Sequence, residues 1–216
     1  MALRRVTDAH YCSRTAGSWA WPAHIEANDD SRAALQALTA GHTLRLESLG
    51  DAHDRYGRVV AFAFANDSQQ SVEQAMLDQG RARVSARVGD KACADGLLSA
   101  ERTARGRPRA LGRSQFRPFV GGKSAPPTNC AGQFALVEDN VLSVRESGAT
   151  IYVNFGRRWT RDFTVIILRR LGKAFTTAGV EPKKLEGRRI RVRGWIEQRG
   201  GPIITAEAPE QIEVLD

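Results

Sequence analysis

"DRYGRVVAFAFAN", residues 54–66, is the stretch whose reading decides the fold. Its second half is a strand. Val59, Ala61 and Ala63 alternate with Val60, Phe62 and Phe64, the period-two pattern of a pleated segment. Its first half is a turn. Gly57 supplies the backbone freedom, and Arg55, Tyr56 and Arg58 crowd around it at the strand's mouth. Upstream, "HTLRLESL" (42–49) sets Thr43, Arg45 and Glu47 against Leu44, Leu46 and Ser48, a half-buried strand. Together they predict a hairpin turning at 50–57.

Helices flank this hairpin. Asp30 or Ser31 predicts the N-cap of a helix running to about Ala40, with Leu35 and Leu38 on its apolar side and Gly41 ending it. Ser71 caps a second helix, with Val72, Ala75 and Met76 on one face and Gly80 as its stop. "RARVSARV" (81–88) is short and strand-like. A third helix is expected over 94–105, where Leu97, Leu98 and Glu101 share helical spacing.

"GGKSAPPT" (121–128) has linker composition. It separates a first module, 1–120, from a second, 129–216. In the second, "QFALVEDNVLSVRESGATIYVNFG" (133–156) predicts three short strands split at Asp139-Asn140 and Ser147-Gly148. "FTVIIL" (163–168) is a fourth, and a short helix follows around 169–178. "RRIRVRGWIEQRGGPIITAEAP" (188–209) is a hairpin turning at Gly200-Gly201. Five or six short strands with one helix point to a small OB-like β-barrel, a small sandwich being the alternative.

The chain carries 32 Lys and Arg against 24 Asp and Glu, a formal net charge of +8, which makes a polyanion the first candidate partner. Cys12, Cys93 and Cys130 lack metal-ligand spacing. No segment approaches the length of a membrane span. The opening "MALRRVTDAH" lacks the apolar core of a signal peptide, so the chain as written is expected in the cytoplasm. A start further upstream would instead allow a periplasmic or secreted protein.

The order of strand, "DRYGR" turn, strand, "SVEQAMLDQGRARV" helix and "LLSAERTAR" helix resembles the staphylococcal nuclease (thermonuclease) family over residues 1–117, most closely from Leu44 to Arg105. The resemblance implies a five-stranded OB-type barrel with three helices, so the whole chain is expected to be mainly β with α. It also implies Ca²⁺-dependent cleavage of phosphodiester bonds in DNA and RNA. By resemblance, Arg58 is one of two phosphate-clamping arginines, and Arg55 and Tyr56 match positions that touch the terminal phosphate. Asp29 falls at the general-base position, and Asp8 and Glu26 supply metal carboxylates. The chemistry fits these residue types. Arginine offers a fixed, always-charged fork to phosphate, and a hard cation needs clustered oxygens. Read without the resemblance, Arg55 and Tyr56 are equally a solvated hairpin tip.

The chain departs from the family at three places. His10 stands where a second metal carboxylate is usual, and neutral imidazole is a poor Ca²⁺ ligand. Trp21 stands where the first clamp arginine belongs. "RGRPRALGRSQF" (105–116) replaces the usual Gly-Leu-Trp ending. Two of these sites share a feature. With permitted synonymous codons, 12–23 read one frame over gives Leu-Glu-Asp-Gly-Arg-Glu-Leu-Gly-Leu-Ala-Gly, and 107–113 gives Gly-Pro-Gly-Leu-Trp-Gly. Both are similar to the family. Even so, the codons of Trp19 and Ala20 force glycine, not arginine, at the clamp position in that frame.

From 145 to 199 there are fourteen Lys/Arg against five Asp/Glu. "NFGRRWTRDF" (154–163) mixes Arg157, Arg158 and Arg161 with Phe155, Trp159 and Phe163. In "EGRRIRVRGWIEQRGG" (186–201), Arg189, Arg191 and Arg193 share one strand face. Arginines beside aromatic rings are how OB-type barrels hold single strands, so Arg157, Arg158, Trp159, Arg161, Arg191 and Arg193 are candidate contacts to single-stranded DNA or RNA. A solvated strand face with core aromatics is the alternative, and it suits Trp195. The N-x-G-x₅-D pattern at 154–162 is similar to domains appended to nuclease-family proteins.

Overall fold

The computed structural model describes residues 4–5, 19–20, 23–25, 29–53, 57–85, 88, 91–106, 119–120 and 131–215. The chain divides into two units, Met1–Arg113 and Ser114–Asp216. The expected linker, 121–128, lies outside the described residues.

In chain order, the first unit contains β1 (Arg4–Arg5), β2 (Trp19–Ala20), β3 (Ala23–Ile25), α1 (Asp29–Thr39), β4 (Thr43–His53), β5 (Val59–Ala65), α2 (Val72–Asp78), β6 (Ala82–Val84) and α3 (Lys91–Gly106). β4 and β5 form the expected antiparallel hairpin, in register from Leu44↔Ala65 to Ser48↔Ala61. β4 runs past Ser48, through an irregularity, to pair His53 with Val59, so the turn is tighter than 50–57. β1 joins the outer edge of β4 and β2 runs parallel to β5, giving the order β1-β4-β5-β2. β3 and β6 pair separately. Neither sheet closes on itself among the described residues. The unit is a mixed helix-and-strand, OB-like fold.

Its core lies between β5, α2, β6 and α3. Ala63, Met76, Leu77, Ala82, Val84 and Ala94 are wholly buried there. Burying a side chain the size of Met76 or Leu77 stabilises by about 2 kcal/mol. Ser71 caps α2 as its sequence predicts, accepting from the Gln74 N–H at 3.1 Å. α1 begins at Asp29, so Asp30 and Ser31 lie inside the helix and do not precede it. The Ser31 hydroxyl is buried and donates to the Arg81 carbonyl at 3.1 Å, tying α1 to the start of β6.

The second unit contains β7 (Phe119–Val120), β8 (Phe134–Asn140), β9 (Ser143–Ser147), β10 (Thr150–Asn154), β11 (Thr164–Leu168), α4 (Gly172–Thr177), β12 (Arg189–Trp195), β13 (Glu197–Arg199), β14 (Gly201–Ala206) and β15 (Ile212–Val214). The sheets are β13-β14-β11-β10-β9 and β15-β12-β8-β7. Two chain runs pass from one sheet to the other: 134–147 bends between β8 and β9, and 189–199 bends between β12 and β13. Strands that switch sheets at bends turn two faces into one rounded wall. Both inner faces line one core, with Val137, Ile190 and Val192 from one sheet and Val153, Val165, Ile167 and Ile204 from the other. The parallel pairing of β11 with β14 and the short helix between β11 and β12 complete an OB-like arrangement. β7 and β15, unread in the sequence, extend the second sheet; two and three residues are too short to show a period.

Candidate nucleic-acid interface

The described residues at the mouth of the β4–β5 hairpin are Gly57 and Arg58, just before β5. Gly57 has φ +74°, a left-handed conformation that a side chain would strain. Arg58 follows it, half-buried, directly before β5. β2 lies beside this mouth, with Trp19↔Val59 and Ala20↔Val60 in register. The chain just before Trp21 and the chain just after Arg58 are therefore neighbours in one sheet. Arg55, Tyr56, Trp21, His10, Asp8 and Glu26 lie outside the described residues.

Asp29 sits in the first turn of α1, where the helix dipole favours an acidic side chain. Its carboxylate is 95% exposed and accepts from Arg32 at 2.6 Å. An exposed pair of this kind contributes less than about 1 kcal/mol, so Asp29 is held only lightly. The adjacent Asp30 pairs with Arg81 at 3.0 Å.

Two buried carboxylates tie helices to strands in this unit. Glu73, on α2, is wholly buried, and both its oxygens accept from the Ala63 N–H of β5, at 3.1 and 3.3 Å. Burial pushes its pKa up to about 7, although hydrogen bonds from its own backbone, Ser71 and Ala63 pull the other way. Glu101, on α3, accepts from the Val84 N–H of β6 at 2.7 Å and pairs with Arg105 at 3.4 Å. Helical spacing signals the inward face of Glu101. It gives no such warning for Glu73, whose neighbour Ala75 is the less buried of the two.

In the second unit the arginines part company. Arg189, Arg191 and Arg193 do share one face of β12, but carboxylates on the neighbouring strands meet them. Glu138 of β8 takes Arg189 at 2.6 Å and Arg191 at 2.7 Å, and Glu213 of β15 pairs with Arg193. Arg193 is 0% exposed, so the surface contact its sequence suggested does not fit its position. Arg191 is largely covered and donates twice to Glu138. Trp195 is half-buried, edge-on to Phe134 at 5.8 Å, in keeping with the core reading.

Arg157, Arg158, Trp159 and Arg161 are all exposed on one loop, 155–163. Phe155 and Phe163 pin its base, with ring centroids 5.4 Å apart and the Phe155 N–H donating to the Phe163 carbonyl at 3.1 Å. Inside it, the Arg158 N–H donates to Asp162 Oδ2 at 2.7 Å, and the Asp162 N–H donates back to the Arg158 carbonyl at 2.7 Å. A Cβ on Gly156 would collide with the Asp162 carboxylate. The N-x-G-x₅-D pattern thus has a physical meaning: Asn154 accepts from Thr164 at the strand end, and Gly156 makes room for Asp162 to close the loop.

The family model for staphylococcal nuclease homologues matches residues 26–112. These residues form a staphylococcal nuclease homologue domain. No curated protein matches the chain. The nuclease-homologue domain includes Asp29, the hairpin with Arg58, α2 and α3, and the match starts after Asp8 and Trp21. Proteins of this family bind nucleic acids, and the match suggests a nuclease-like, nucleic-acid-binding function for residues 26–112.

The family generally uses Ca²⁺. Among the described residues of the nuclease-homologue domain, no three His, Cys, Asp or Glu side chains converge as a cation site. Asp29 is tied to Arg32, and Glu73 and Glu101 are turned to backbone amides. These described carboxylates therefore make no Ca²⁺ cage, and the expected ligands Asp8 and Glu26 are not among them. Among the described residues, no helix is long and apolar enough to cross a membrane.

Proposed function

We propose that this protein binds single-stranded DNA or RNA through its nuclease-homologue domain and hydrolyses phosphodiester bonds slowly at best. The observation that carries this reading is Arg58, retained on its Gly57 turn at the mouth of β5 inside the matched segment. On this reading Arg58 clamps a phosphate together with Arg55 and Tyr56, and Asp29 takes a proton from water. This reading assigns Asp8 and Glu26 to Ca²⁺, which when bound supplies positive charge against the phosphate.

Trp21 favours a second reading, a nuclease fold retained for binding alone. An indole cannot replace a guanidinium fork, and losing one such donor costs on the order of 10²–10³ in rate. Binding needs fewer groups than cleavage and survives that loss.

Fluorescence anisotropy of a labelled single-stranded oligonucleotide, titrated with the full chain at several salt concentrations, tests the shared claim. Affinity is expected to fall steadily with salt, and Arg58→Ala to weaken it. Absence of binding at low salt would sink both readings.

A further inference from the structure

The loop 155–163 and the Gly200-Gly201 turn form a second surface, outside the nuclease-homologue domain. Trp159 is 67% exposed. The other aromatic side chains whose burial is described in this unit behave differently: Phe134, Phe155, Phe163 and Phe175 are buried, and Tyr152 and Trp195 are half-buried. A large apolar ring left in water is the informative exception.

The ring is also held in place. A Cβ built on Gly200 would stand 2.5 Å from Trp159 Cζ3 and 3.4 Å from each of its ring neighbours, Cε3 and Cη2. Those three distances place that carbon in the plane of the ring, off the Cζ3 corner. The edge of the indole, not its face, therefore meets Gly200. A Cβ on Gly201 would collide with the Trp159 carbonyl oxygen, so the backbone is seated there too.

Charge around the ring is one-sided. Arg157, Arg158 and Arg161 are exposed, and none has an ion-pair partner among the described residues. The nearest carboxylate in sequence, Asp162, is turned inward to the Arg158 amide. The contrast with β12 is direct. There, Glu138 and Glu213 neutralise the arginines; on this loop no carboxylate does.

We infer that this loop is a single-strand nucleic-acid site of its own. One base stacks on the open face of Trp159, and the guanidiniums of Arg157, Arg158 and Arg161 take the flanking phosphates. The inference rests on the reading that the chain handles nucleic acid, but it locates a contact that the nuclease-homologue domain does not contain. The occupant is a nucleic acid because the site pairs a flat, edge-supported ring with planar cations. An acidic peptide would use the cations and leave the ring idle, and a lipid surface would need a cluster of apolar side chains where the loop exposes one.

The test uses the full chain. Tryptophan fluorescence is titrated with a ten-nucleotide oligo(dT), and affinity is compared with that for polyglutamate of similar charge, in wild type, Trp159→Ala, Arg157→Ala/Arg158→Ala and Arg58→Ala. Oligo(dT) is expected to quench fluorescence, and Trp159→Ala to remove most of the quench and weaken binding at least about five-fold. The double arginine variant should weaken binding and flatten its salt dependence. The quench should persist in Arg58→Ala, and circular dichroism should show every variant folded. Oligo(dT) binding that Arg58→Ala abolishes and Trp159→Ala leaves intact would overturn this site while sparing the proposed function. Polyglutamate binding as tightly as oligo(dT), with equal sensitivity to Trp159→Ala, would overturn the nucleic-acid assignment. Failure to bind oligo(dT) at all would remove both.

Discussion

Glu73 reaches across from α2 to β5 and holds the Ala63 amide with both carboxylate oxygens, at 3.1 and 3.3 Å. The bond joins the helix to the central hairpin at a wholly buried point. Burial raises the Glu73 pKa from 4.5 to about 7. The folded state therefore keeps its proton where the unfolded chain has already lost it. The stability tied to that proton is fully present below pH 4.5 and is lost as pH rises to about 7. The gap corresponds to roughly 3 kcal/mol. Urea unfolding at pH 5 and pH 8 checks this: wild type should lose stability between them, and Glu73→Gln should lose much less. Equal pH slopes in the two proteins would refute it.

Glu213 faces Arg193, a guanidinium with no exposed surface. Removing one partner of a buried pair leaves a charge in low dielectric, which costs about 3–5 kcal/mol. Glu213→Ala should therefore lower the melting temperature of the second unit sharply. Arg199→Ala breaks the exposed pair with Glu197, 2.8 Å apart, and should change stability by less than about 1 kcal/mol. Similar shifts for the two would mean that burial is not what gives the β12 face its weight.

Gly156 and Asp162 are a fitted pair: any side chain at 156 displaces the carboxylate that closes the loop. Gly156→Ala should cost about 1.5–3 kcal/mol, the range for a hydrogen bond to a charged group. It should also alter Trp159 emission without unfolding the core. An unchanged spectrum with unchanged stability would show that the loop closes without this contact.

The family match begins at residue 26, just past the stretch 12–23, and ends at 112, inside the stretch 107–113. These are the two stretches whose neighbouring frame is similar to the family. Resequencing the coding DNA is expected to place frame changes near codons 11–24 and 106–114. An uninterrupted frame through both would end this explanation and leave Trp21 as a true substitution.

Much of this architecture was legible because it rests on periodicity and punctuation. The β4–β5 hairpin, the Ser71 cap and the strands of the second unit follow from alternation and from Gly, Asn and Ser at their ends. Long-range pairing was harder to read. The alternation of Arg189, Arg191 and Arg193 correctly put them on one face, but only the pairing of β12 with β8 and β15 shows that Glu138 and Glu213 wait there. Glu73 was missed for a related reason: a carboxylate on a helix looks solvent-facing until the Ala63 amide beside it is known. The exposure of Arg157, Arg158 and Trp159 was legible because a loop rich in cations has no strand partner to neutralise it.

On the proposed reading, the nuclease-homologue domain holds nucleic acid better than it cuts it. The most direct test is the turnover of a fluorescent single-stranded DNA with and without excess Ca²⁺, by wild type and Arg58→Ala, measured beside equilibrium binding of the same strand. Salt-sensitive binding that Arg58→Ala weakens is expected, with cleavage slow or absent and, where present, lost in that variant. Rapid Ca²⁺-dependent cleavage that Arg58→Ala leaves untouched would contradict this reading.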